Sequence, residues 1–118
     1  MDDAAPRGLL RVSTGLVGTT ATIEVFGEID QVSVAELDAR LRRVTGIRSV
    51  LTVVVDLNGV GYLGSAGLAL LRLHHHRCAA DGIEFVVAAG NRAVLRPLEV
   101  SALDTLLTVR RGTPRESN

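Results

Sequence analysis

The hydroxyl of Ser65 falls where an apolar run turns into a Leu/Ala-rich helix. Val53-Val54-Val55-Asp56-Leu57 reads as a parallel strand buried on both faces. A Gly/Asn-rich turn follows, and Ser65-Ala66-Gly67-Leu68 opens a helical pattern. The first backbone N–H groups of a helix have no internal acceptor and leave that end locally positive. A hydroxyl held there suits an added phosphate, and it equally suits an ordinary N-cap. From the residues alone, both readings stay open.

The other chemistry-bearing residues are weaker candidates. Glu28 and Asp30 lie near the end of an early strand, where Asp commonly organises a turn. With no His, Lys or nucleophile close in sequence they do not make a catalytic dyad, and partner contact is the functional alternative. His74, His75 and His76 are consecutive on a helix and point about 100° apart, so they cannot converge on one ion as an i, i+4 pair can. They read as a solvated or partly buried helix end. Cys78 is three or four positions from His75 and His74, but two ligands are too few for structural zinc. It reads as a small core residue. Gly59, Gly61 and Gly64 lack both the P-loop Lys-Ser/Thr and the Rossmann spacing. Asp56 is expected to structure the turn that follows it, and the Arg72/Arg77 and Arg92/Arg96 pairs to be solvated. No metal, cofactor or enzymatic activity is expected.

Composition narrows the class. A chain of 118 residues supplies one core, and 47% hydrophobic residues place it among globular domains. The 13 basic and 13 acidic residues cancel, so no net field draws in nucleic acid or an anionic membrane. No Trp, one Tyr and two Phe leave few rings for stacking bases. The single Cys78 cannot form an internal disulfide. No apolar run reaches membrane-spanning length, and Met1-Asp2-Asp3 is acidic where a signal peptide is basic. A cytoplasmic protein without membrane insertion is expected.

The elements that must hold Ser65 follow from periodicity. Strands are expected over Leu9–Thr14 and Thr19–Phe26, joined by a turn through Gly15–Gly18, with Gly27-Glu28-Ile29-Asp30 leaving as a loop. Ser33–Val44 reads as a helix, with Ser33 and Glu36 as a capping box. Its apolar stripe is Val34, Leu37, Leu41 and Val44, and Glu36–Arg40 and Asp38–Arg42 are spaced as ion pairs. A strand over Leu51–Leu57, a helix from about Ser65 to Ala80 and a strand over Ile83–Ala88 come next. Asn91 can cap a helix through Val100 that Pro97 should kink or split, and Leu106–Val109 can add a last strand. Met1–Gly8 and Arg110–Asn118 read as flexible termini. Strands alternating with helices call for an α/β fold: a mixed sheet of four or five strands with helices mainly on one face.

The residues also carry a resemblance. Gly27-Glu28-Ile29-Asp30, Val53-Val54-Val55-Asp56-Leu57 and Tyr62-Leu63-Gly64-Ser65-Ala66-Gly67-Leu68 resemble, in order and spacing, the motifs of STAS domains. They are most similar to those of free-standing bacterial anti-sigma factor antagonists, over about Leu9–Val109. Asn91-Arg92-Ala93-Val94 and Leu98-Glu99-Val100 also sit where the family has a helix. The resemblance implies partner switching. An anti-sigma factor with serine kinase activity is bound by the antagonist, which frees the sigma factor. The kinase then phosphorylates the loop serine and the pair separates, and a serine phosphatase resets the cycle. Ser65 aligns with that serine and Asp30 with an acidic position near it. Glu28 and the Gly64–Gly67 segment (Gly64, Ser65, Ala66, Gly67) complete the expected contact surface. The family commonly has Asp before the serine. Gly64 stands there instead, changing local charge and admitting a positive φ. The alternative is a STAS subunit of a stress-sensing complex or lipid ABC transporter that uses this surface without phosphorylation.

Overall fold

The computed structural model describes residues 10–112; Leu9, the segment 1–8 and residues 113–118 lie outside it. Five strands form one sheet in the order β1-β2-β3-β4-β5, with β1 antiparallel to β2 and the other pairs parallel. Helices α1 (Val34–Thr45), α2 (Ser65–Ala80) and α3 (Arg92–Val100) make the three crossovers. With the strand order sequential, crossovers of one hand deliver every helix to the same face.

The period of two sorts the strands accordingly. Ala21, Ile23 and Val25 of β2, Val53, Val55 and Leu57 of β3, and Phe85, Val87 and Ala89 of β4 join one core with Leu37, Leu41, Leu71, Val94 and Leu98 of the helices. Val54, Val86 and Ala88 form a small separate cluster on the opposite face. Each fully buried aliphatic side chain contributes about 1.5–3 kcal/mol of transfer free energy.

Several boundaries differ from expectation. β1 (Leu10–Val17) and β2 (Thr20–Ile29) pair through Val17 and Thr20, so the turn is only Gly18-Thr19. Gly18 at φ +62° supplies the left-handed residue that a two-residue hairpin turn needs. β3 (Thr52–Leu63) does not stop at Leu57: Gly59–Leu63 continues alongside Phe26–Ile29, so neither the glycine turn nor Gly27–Ile29 is a free loop. The pairing absorbs two register shifts, between Glu24 and Phe26 and between Gly27 and Glu28. The Phe26 ring occupies the space that a Cβ on Gly59 would need, and Gly27 takes φ +116° at the second shift.

α3 runs through Pro97 unsplit. Burial of Val94 and Leu98 offsets the roughly 3 kcal/mol that an interior proline costs. A 3-10 turn, Leu103–Thr105, and the bonds of Leu106 and Leu107 N–H to Leu103 O displace β5 (Glu84–Ala89 of β4 being its neighbour) to Thr108–Arg111. Arg110 and Arg111 are therefore sheet residues and not part of a loose tail. Asn58 Nδ2 donates to Asp56 Oδ1 (2.7 Å) and Gly112 O (3.3 Å), while its Oδ1 accepts from Gly90 N (2.8 Å). Asp56 Oδ1 also accepts from Asn58 N–H (3.0 Å), so Asp56 organises the chain that follows it and, through Asn58, links β3 to the residues just after β4 and β5.

Among the described residues, no helix is long and apolar enough to cross a membrane.

Candidate functional site

Two neighbouring strands, β2 and β3, end side by side, and their exits build the site. Gly64 N–H donates to Ile29 O at 3.0 Å, the last rung of that pairing. From there β2 leads into the Asp30–Ser33 turn and β3 leads directly into α2. Asp30, Gln31, Val32, Tyr62, Gly64, Ser65 and Ala66 line one shallow depression of about 340 Å³.

Ser65 is the first residue of α2, and the N-cap position belongs to Gly64, with φ −90° and ψ −177°. This extended backbone suits any residue, so Gly64 does not use the positive φ that glycine admits. The first intrahelical bond is Leu68 N–H to Gly64 O, 3.1 Å, which leaves the amides of Ser65, Ala66 and Gly67 ahead of it. No side-chain hydrogen bond caps the helix, and the exposed Ser65 hydroxyl is bonded to no described residue.

The Asp30 turn is held from within. Asp30 Oδ1 accepts from the N–H groups of Val32 and Ser33, both at 2.9 Å, and Val34 N–H donates to Asp30 O at 3.0 Å. This is the bonding of an N-cap, placed one turn ahead of α1. The Ser33–Glu36 capping box does not form. The Ser33 hydroxyl instead donates to Glu28 O (2.6 Å) and accepts from Asp30 N (3.0 Å), buried beneath the turn. The Ser33 backbone N–H, then that of Val32, holds the Asp30 carboxyl below its ordinary 3.8 against some desolvation. An ionised, partly exposed carboxylate therefore faces the same depression as Ser65.

The remaining expected residues divide. Ala66 lines the depression, whereas Glu28 is exposed on β2 outside its lining and lends only its carbonyl to Ser33. Gly67 is buried: a Cβ there would lie 2.5 Å from Leu63 Cδ1 and 2.7 Å from Ile29 Cγ2. Its place is in the packing of α2 on β2 and β3, not on a contact surface. Gln31 and Val32 are not singled out by the sequence, and Tyr62 enters there only as the first residue of the motif that carries the resemblance. Val32 is 80% exposed, an apolar side chain projecting beside the depression. Its signal was an apolar residue inside a polar turn.

His74 is not a solvated helix end. It is 1% exposed, and its Nε2 lies 2.7 Å from Asp38 Oδ1, joining α2 to α1. An ionised carboxylate can only accept, so Nε2 carries the proton. Burial pushes His74 below its ordinary 6.5 despite the opposing pull of Asp38. Asp38 also accepts from Arg42 Nε at 2.9 Å, and the looser Glu36–Arg40 pair is 3.9 Å apart. Bonds from His74 and Arg42 outweigh desolvation and keep Asp38 below 3.8. Cys78 is buried, and desolvation raises its thiol. Asn91 holds the N-cap position of α3, its carbonyl accepting from Leu95 N–H at 3.0 Å, but its side chain makes no cap bond and Nδ2 donates instead to Val60 O at 2.6 Å. Among the described residues, no group of three or more His, Cys, Asp or Glu could hold a metal.

Known proteins share this architecture and sequence pattern. The STAS domain family profile matches residues 12–113. The anti-sigma-F factor antagonist RsfB of Mycobacterium tuberculosis is 30% identical over 84 residues, 71% of this chain and 67% of that protein. The crystal structure of an anti-sigma factor antagonist from Mycobacterium paratuberculosis superposes with a TM-score of 0.83 at 25% identity, covering 92% of each chain. The Bacillus cell fate determinant SpoIIAA in its phosphorylated form shares the fold, with a TM-score of 0.71 at 17% identity over 91% of this chain and 96% of that one. On the family match, the order of motifs and the sheet that carries them, the chain belongs to the STAS domain family.

Proposed function

We propose that this protein is an anti-sigma factor antagonist, a cytoplasmic binding protein whose docking is switched off by phosphorylation of Ser65. The observation that carries this is the exposed Ser65 hydroxyl, bonded to no described residue, at the first residue of α2 and in one depression with the ionised Asp30. Support comes from the antagonists of the two mycobacteria that it resembles. The partner is an anti-sigma factor that is also a serine kinase, which transfers the γ-phosphoryl group of ATP to Ser65 Oγ with loss of ADP. A serine phosphatase restores the hydroxyl.

The physics of the switch is local. A phosphate adds about −1.5 to −2 charges to a surface where the one charged lining residue among those described, Asp30, is already negative. Enclosed in a protein interface without a cationic partner, such a charge costs several kcal/mol, on the order of a thousandfold in affinity. In the free protein the start of α2 favours the anion by about 0.3–1 kcal/mol, so the modified chain stays folded while its complex separates.

Incubation with candidate anti-sigma factor kinases and ATP, followed by mass spectrometric mapping, tests the assignment. One phosphate on Ser65, absent from Ser65→Ala, is expected; modification only elsewhere would overturn it. Gly64, in place of the usual acid, favours a second reading, a STAS subunit that binds without being phosphorylated. Failure of every kinase together with co-purification of transporter or stress-complex subunits would select that reading.

A further inference from the structure

Gly64 poses a question that its backbone does not answer. At φ −90° and ψ −177° any residue fits, so glycine is not required by conformation. What a side chain would meet is Tyr62: a Cβ on residue 64 would lie 3.0 Å from both Cε2 and the hydroxyl oxygen of Tyr62, and 3.2 Å from Cζ. The ring rests on the bare Cα of Gly64, in the volume a side chain there would use.

Tyr62 is 52% exposed, and its hydroxyl is bonded to no described residue, so that donor is available. It lines the same depression as Ser65. Among the described residues no arginine lines that depression, and the one charged residue that does, Asp30, repels an anion. A phosphoryl group there depends on neutral donors: the leading amides of α2, the exposed Gln31 side chain and the Tyr62 phenol. Only the phenol is both a side-chain donor and seated by packing.

We propose that Tyr62 is the positioning residue for a phosphoryl group on Ser65, its hydroxyl donating a hydrogen bond to the phosphate while Gly64 leaves room for the ring to lie there. The proposal rests on Ser65 as the modified residue. It makes Tyr62 and Gly64 one unit: a Cβ at 64 pushes the ring by a few tenths of an ångström, which lengthens or bends the bond even with Tyr62 intact.

The test uses the full chain with phosphoserine placed at position 65 during translation, so it needs no kinase. The second ionisation of that phosphate, ordinarily near pH 6, is followed by 31P NMR. A donated hydrogen bond favours the dianion and lowers this pKa. Tyr62→Phe, which keeps the ring, is expected to raise it by about half a unit, Gly64→Ala to raise it by less, and the double variant to match Tyr62→Phe alone. Val32→Ala, in the same lining but with no donor to lose, is expected to leave it unchanged. An unchanged phosphate pKa in Tyr62→Phe would overturn the proposal, as would additive shifts in the double variant. Either result leaves the kinase experiment untouched, because a kinase can modify Ser65 whether or not Tyr62 holds the product.

Discussion

Adding one methyl group at Gly67 tests how closely α2 must approach the sheet to present Ser65. The Cβ of Gly67→Ala would lie 2.5 Å from Leu63 Cδ1 and 2.7 Å from Ile29 Cγ2, where ordinary contacts are 3.4–4 Å. Both neighbours are themselves buried, at 4% and 0% exposure, so neither can simply swing into solvent. Two effects oppose each other. Replacing glycine by alanine in a helix gains up to about 1 kcal/mol of backbone propensity. Overpacking a filled core costs about 1–3 kcal/mol. The strain wins, giving a net loss of about 1 kcal/mol and a fall in Tm of about 4 °C for a domain of this size. Urea unfolding of Gly67→Ala beside Gly61→Ala measures this, since a Cβ on Gly61 meets nothing within 4 Å. A Gly67→Ala protein more stable than the wild type by about 1 kcal/mol would refute the close seating of α2.

Three further perturbations address the supports of the site. His74→Ala should lose about 2–4 kcal/mol, from the cavity and the lost bond to Asp38, measured by thermal or urea unfolding. Because the folded chain holds His74 below 6.5, the unfolded chain takes up the proton first. The stability contributed by neutral His74 is therefore complete above about pH 7 and falls as pH drops through 6.5; His74→Leu should flatten the slope of Tm between pH 7 and 5. Asp38 acts in the same sense, but only below its ordinary 3.8. Asp30→Ala removes the acceptor of the Val32 and Ser33 amides, and hydrogen exchange at those amides should accelerate while the core stays protected.

The architecture was legible because strands and helices alternate with clear periods. Val53, Val55 and Leu57 and the stripe of Leu37, Leu41 and Val44 each pointed to the core they join. The expectation that Ser65 and Asp30 meet came from family motifs, not from spacing, since their proximity depends on the parallel pairing of β2 and β3. The illegible parts depend on long-range contacts. Glycines at 59 and 61 read as a turn, whereas Gly59 makes room for Phe26 from the neighbouring strand. Ser33 and Glu36 have the spacing of a capping box, but Asp30 takes the amides first and Ser33 turns to Glu28. Polarity hid His74, because burial of an imidazole requires a partner on another helix. Gly67 read as part of a surface motif and is a packing position, because α2 meets Ile29 and Leu63 there.

The most direct measurement is a binding titration of the proposed partner, an anti-sigma factor kinase, with the unmodified chain and with the chain carrying phosphoserine at position 65. A charge-controlled switch at Ser65 requires the phosphorylated form to bind on the order of a thousandfold more weakly, with Ser65→Ala matching the unmodified chain. Equal affinity of all three would contradict it.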